Sequence, residues 1–192
     1  MLRKTTALLV AALLAPPGLA WGAAPPAKPA APKSTQEKAA PARPARPAPV
    51  QDFDARDPAT LIGFLNAAGA RAAMAHREAD SVFVTVASSS VDFSMQFADC
   101  NAQGRGCKAV LFDNIADKAG PSFAQLNAFN QSSVMCRGYE DKTGKPHVVY
   151  STLLFADDSR QRVATQIAAW RGCVGEFRDF LKDPTAYLAS AP

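Results

Sequence analysis

Four cysteines, two histidines and a few short runs of hydroxyl, glycine or carboxylate residues are the groups in this 192-residue chain whose types could carry chemistry. Cys100 and Cys107 are too far apart for a CxxC redox pair. They also lack the helix N-terminus that lowers a thiol pKa, so they read as a structural staple. A zinc site would need all four cysteines held as thiolates, which an oxidising compartment does not favour. His76 and His147 each stand alone in a strand-like segment, in no metal-ligand spacing and beside no Ser or Cys. Both read as surface or half-buried strand residues. Ser88-Ser89-Ser90 has no GxSxG elbow and reads as a turn. Gly104-Arg105-Gly106 is too short for a phosphate loop. Asp157-Asp158 adjoins a helix start, where the macrodipole favours anions without any catalytic role. These patterns predict no enzyme, no cofactor and no metal.

The compartment decides how the cysteines are read. Arg3 and Lys4 precede the apolar run Ala7 to Ala15, followed by Pro16-Pro17-Gly18 and small residues, which is the layout of a secretory signal peptide over residues 1–22. Cleavage is expected after Ala20 or Gly22, with an uncleaved helical tether as the alternative. The run is about half of the roughly 20 residues a spanning helix needs, so no integral span is expected in the mature form. The chain therefore reads as periplasmic, where thiols pair. Residues 23–52 are dominated by Ala, Pro, Lys and Arg. They read as an extended disordered linker reaching at most about 90 Å.

The net charge of +4 could suggest nucleic acid, but seven of the 21 Lys and Arg lie in residues 1–50 against Glu37 alone. The remainder carries 14 basic and 16 acidic residues, a net of −2, with no basic stripe. Nucleic-acid binding by the domain is not expected.

Residues 53–192 are long enough for one core. Asp57-Pro58 starts a helix to about Ala68, with the stripe Leu61, Phe64, Leu65 and Ala68 closed by Gly69. Ala73 to Arg77, Ser81 to Ala87, Val91 to Ala98 and Ala109 to Asp113 read as an antiparallel meander. Ser122 caps a short helix carrying Phe123, Leu126 and Phe129. Val134 to Glu140 and His147 to Phe155 then flank the turn Asp141-Lys142-Thr143-Gly144-Lys145. A long helix opens at Asp157 or Ser159, bears Val163, Ile167, Trp170, Val174, Phe177 and Leu181, and stops at Asp183-Pro184. This order predicts an α+β fold, an antiparallel sheet with helices packed on one face. Trp170 and Phe177 should face Val82, Val84, Phe93 or Phe97, Val110 or Phe112, and Val148 or Tyr150.

Cys100 ends one predicted strand and Cys107 begins the next, within reach of a cross-strand disulfide. That leaves Cys136, in the fifth strand, for Cys173 on the last helix.

The strand ending in Cys100, the loop to Cys107, Lys108-Ala109-Val110-Leu111-Phe112, Leu126-Asn127-Ala128-Phe129-Asn130, and Arg137-Gly138-Tyr139-Glu140-Asp141 leading to Gly144 and a final helix with Trp170 form an ordered set. Over about Asp57 to Leu181 this set resembles the YbjN family of bacterial sensory transduction regulators. The resemblance implies a fold like that of type III secretion chaperones, no catalytic residues, and action through protein contacts. Phe129 stands where the family usually has Trp, and the Pro-rich exported N-terminus departs from a cytosolic regulator. The function expected is an exported, non-enzymatic protein-binding or regulatory domain, using a sheet face or strand edge near Arg137, Tyr139 and His147. The alternative is a small-ligand sensor or accessory subunit of an envelope enzyme. Partner identity stays open, a homodimer included.

Overall fold

The computed structural model describes residues 53–117 and 120–191; the signal segment and linker expected over 1–52 lie outside the described residues. The elements are α1 (Pro58–Ala67), β1 (Arg71–Glu78), β2 (Ser81–Ala87), β3 (Phe93–Ala98), β4 (Ala109–Ile115), α2 (Phe123–Ser132), β5 (Arg137–Glu140), β6 (Pro146–Leu153), α3 (Arg160–Lys182) and α4 (Pro184–Ser190). The fold is α+β: six antiparallel strands in the order β1-β2-β3-β4-β6-β5, with four helices.

Period-two alternation sets the core. Val82, Val84, Val86, Met95, Phe97, Val110, Phe112, Val148 and Tyr150 are all buried, so residues two apart on each strand share the inner face. Trp170 of α3 is fully buried with its ring centroid 5.7 Å from Phe93 and 5.8 Å from Phe112. Leu61 and Leu65 of α1 and Leu126 and Phe129 of α2 belong to the same core. At Gly138 a Cβ would lie 3.0 Å from both Leu126 and Phe177, so glycine lets α2 and α3 close over β5.

Three sequence expectations need correction. The fifth strand does not begin at Val134: β5 starts at Arg137, because the Ser133 hydroxyl accepts from the Cys136 amide and the Arg137 guanidinium takes the carbonyls of Ser133 and Cys136. Cys136 therefore precedes the strand. Asp183-Pro184 ends α3 but also starts α4, with the Asp183 side chain accepting from the Ala186 amide. The stripe of α3 closes on Phe180, which is fully buried against Phe129 and Tyr187, while Leu181 is half-buried.

The two edge strands are treated alike. Asn66, at the end of α1, accepts from the Ala72 amide of β1 at 2.7 Å and donates to its carbonyl at 3.1 Å. Asn130 of α2 does the same to Gly138 of β5, at 2.7 and 3.0 Å. Each amide side chain thus stands in for a missing neighbouring strand at one residue. Asn130→Ala, which orphans a buried amide and carbonyl, is expected to cost about 1–3 kcal/mol in denaturant unfolding. A loss below about 0.5 kcal/mol would mean that water replaces the clamp.

Candidate functional site

The hairpin β5–β6 brings together the three residues expected at a partner surface. Asp141 builds its turn: its Oδ1 accepts from the amides of Thr143 and Lys145 and from the Thr143 hydroxyl. Gly144, at φ +78°, provides the left-handed step. Counting outward from the turn sets Glu140 opposite Pro146 and Tyr139 opposite His147.

Arg137 and Tyr139 are exposed, as a surface role requires, but His147 is only 6 % exposed. The surface or half-buried placement expected for it is therefore corrected. Tyr139 stacks over the imidazole with ring centroids 4.5 Å apart, and β4 supplies Asp113 beside it. Nδ1 of His147 lies 2.9 and 3.1 Å from the two Asp113 oxygens and 3.1 Å from the Tyr139 hydroxyl. Nε2 lies 3.5 Å from an Asp141 oxygen. A histidine that looks isolated along the chain is bracketed by carboxylates from two different segments.

This cluster holds structure more readily than it does chemistry. Burial, then the charges of Asp113 and Asp141, push the Tyr139 phenol above its ordinary value, which makes it a poor nucleophile. Asp141 is held well below the usual carboxylate range, first by the Lys145 amide and then by the Thr143 hydroxyl. Among the described residues no group of three or more His, Cys, Asp or Glu could hold a metal ion.

The other candidate groups are dispersed. His76 stacks on Phe83 with centroids 4.3 Å apart, at the opposite edge of the sheet from the hairpin. Ser88 closes its own turn by donating to the Val91 carbonyl. Asn101 closes the Gly104-Arg105-Gly106 loop by accepting from the amides of Gln103 and Arg105. Asp158 is buried, accepting from the Phe155 amide and pairing with Arg162. Cys100 is bonded to Cys107, and Cys136 to Cys173. Both bridges fit an oxidising environment.

No protein-family model, curated protein or solved structure matches the chain. What the region can do is therefore read from its surface. Strand residues pointing away from the helices include half-buried Leu111 and Val149 and the more exposed Ile115 and Leu153, at 49 and 59 %. Among the described residues no helix packs on this outer face. No described helix is long and apolar enough to cross a membrane.

Because its native carboxyl is depressed, Asp141 contributes stability that is present above about pH 4, the unfolded value, and lost as pH falls toward the native value. The stability difference between the native protein and Asp141→Asn should be constant from pH 5 to 7 and shrink toward pH 2. A difference unchanged over that range would remove Asp141 as the source.

Proposed function

We propose that this is an exported, non-enzymatic domain that works by protein–protein contact, taking an apolar polypeptide surface on the outer face of its sheet. The observation that carries this reading is the uncovered strip of Leu111, Ile115, Val149 and Leu153, bordered by Tyr139 over its His147 anchor. Unpartnered apolar side chains on one sheet face, in a domain whose helices pack on the other, mark a contact surface. The signal-like N-terminus and the two bridges support export. The ordered motifs that resemble the YbjN family support a regulatory or chaperoning role. The β5 edge contributes less than the sequence suggests, because Asn130 already occupies the backbone of Gly138.

A cleft of about 910 Å³ where the ends of β2, β3 and β4 meet α3 is the observation favouring the small-ligand alternative. Several of its polar groups are already engaged within the protein, however. Asp92 accepts from the Ser88 amide, Asn114 donates to the Asp92 carbonyl, Arg178 donates to the Ser90 carbonyl, and Asp113 is engaged with His147. Ligand pockets need convergent polar groups left free for the ligand.

The test is capture from envelope extract by the mature protein, compared with Leu153→Asp and Tyr139→Ala. Both variants should keep the native melting temperature within a few degrees and lose the proteins that the native domain retains. The same captured set from all three would overturn the outer face as the contact surface.

A further inference from the structure

The Cys136–Cys173 bridge ties the segment before β5 to α3, and the surroundings of its two sulfurs differ. Both cysteines are buried, but Cys136 lines a small cleft of about 210 Å³ together with Ser133, Met135, Glu176 and Tyr187, whereas Cys173 does not. Glu176 Oε2 stands 3.2 Å from Cys136 Sγ. A bonded sulfur has no proton to donate, so this contact brings a carboxylate oxygen against the disulfide. The carboxylate is held there by two hydroxyls: Ser133 donates to Oε2 at 3.2 Å and Tyr187 donates to Oε1 at 2.9 Å. Tyr187 has its own phenol pushed up to about 12, by burial and then by this bond, so it remains a donor.

We propose that Glu176 is an electrostatic guard that keeps the Cys136–Cys173 bridge oxidised by repelling thiolates. In thiol–disulfide exchange an external thiolate attacks one sulfur, a mixed disulfide forms, and the other cysteine leaves as a thiolate that then takes up a proton. A second thiol resolves the mixed disulfide and releases the remaining cysteine. Attack from the cleft falls on Cys136, and the incoming anion must approach the Glu176 carboxylate. Attack on Cys173 instead expels Cys136 as an anion beside the same carboxylate. Like charges at such separations, partly shielded from water, repel strongly, so both routes are slowed. The Cys100–Cys107 bridge is an internal control, since the nearby carboxylates Asp57 and Asp99 are paired with Arg105 and Lys108 and none contacts its sulfurs among the described residues.

The experiment uses the folded mature protein, timed thiol treatment, alkylation and peptide mapping of each bridge. With dithiothreitol, Cys100–Cys107 should open first. Glu176→Gln should open Cys136–Cys173 at least about tenfold faster while leaving Cys100–Cys107 unchanged. Tyr187→Phe keeps the charge and removes one tethering hydroxyl, so it should retain the slow rate. On the native protein, cationic cysteamine should open Cys136–Cys173 faster than anionic 2-mercaptoethanesulfonate by a larger ratio than at Cys100–Cys107, and added salt should narrow the gap. Equal rates for native and Glu176→Gln protein would overturn the proposal. Matching acceleration by Tyr187→Phe would do the same by assigning the effect to loosened packing, and so would the same reagent ratio at both bridges.

Discussion

Trp170→Ala is expected to lower stability by about 3–5 kcal/mol, or roughly 10–20 °C in melting temperature for a domain of this size. Trp170 is fully buried where α3 crosses the sheet, in contact with Phe93 of β3 and Phe112 of β4, so its removal opens a void that no single side chain can fill. The indole Nε1 has no hydrogen-bond partner, which makes the ring's contribution one of packing alone. Trp170→Phe, which keeps most of the aromatic volume and removes the orphaned donor, should cost far less than the alanine change. Equal losses from the two variants in thermal or denaturant unfolding would show that the packing account is wrong. Tyr139→Ala provides the contrast: its ring is 43 % exposed, so stability should fall much less than in Trp170→Ala.

Removing the Cys136–Cys173 bridge by a double Cys→Ala substitution should cost about 4 kcal/mol, against about 2.4 kcal/mol for Cys100–Cys107. The difference follows from chain entropy, because the bonded residues are 37 and 7 positions apart. The longer loop contains β5, β6 and the first half of α3, so loss of the bridge should also weaken the closure of α3 over Gly138. Chemical denaturation of the two double variants measures both terms. A larger loss from the short loop would mean that native contacts outweigh the entropy of the unfolded chain.

Local signals made most of the fold readable. Asp57-Pro58 and Ser122, the latter with Gln125 completing a capping box, start α1 and α2 as their chemistry requires. Alternating Val and Phe place the strands, and the Asp141-to-Lys145 turn sets the last hairpin. The start of β5 was not readable, since Val134 and Met135 have strand-forming side chains yet are exposed, and the backbone there is taken by Ser133 and Arg137. The start of α4 was present in the sequence as a second Asp-Pro, but it read only as the end of α3. At the candidate site the pairing of Tyr139 with His147 follows from the turn. Asp113 does not, because it reaches His147 only once β4 has paired with β6 across more than 30 residues of chain. Glu176 was hidden for the same reason: nothing local connects it to Cys136, 40 positions away.

The paired asparagine clamps also bear on how the chain reaches this fold. Asn66 and Ala72 are six residues apart and Asn130 and Gly138 eight, so each clamp closes a loop short enough to form in well under a microsecond. The central pairing of β4 with β6 has a much longer loop to close and is slower. Each outer strand therefore acquires an intramolecular partner at one backbone residue while the middle of the sheet is still assembling. During that interval, unclamped strands from neighbouring chains could template one another into fibres. Two side-chain amides, placed by helices next to them in sequence, shorten that open edge by one residue on each outer strand before the sheet is complete.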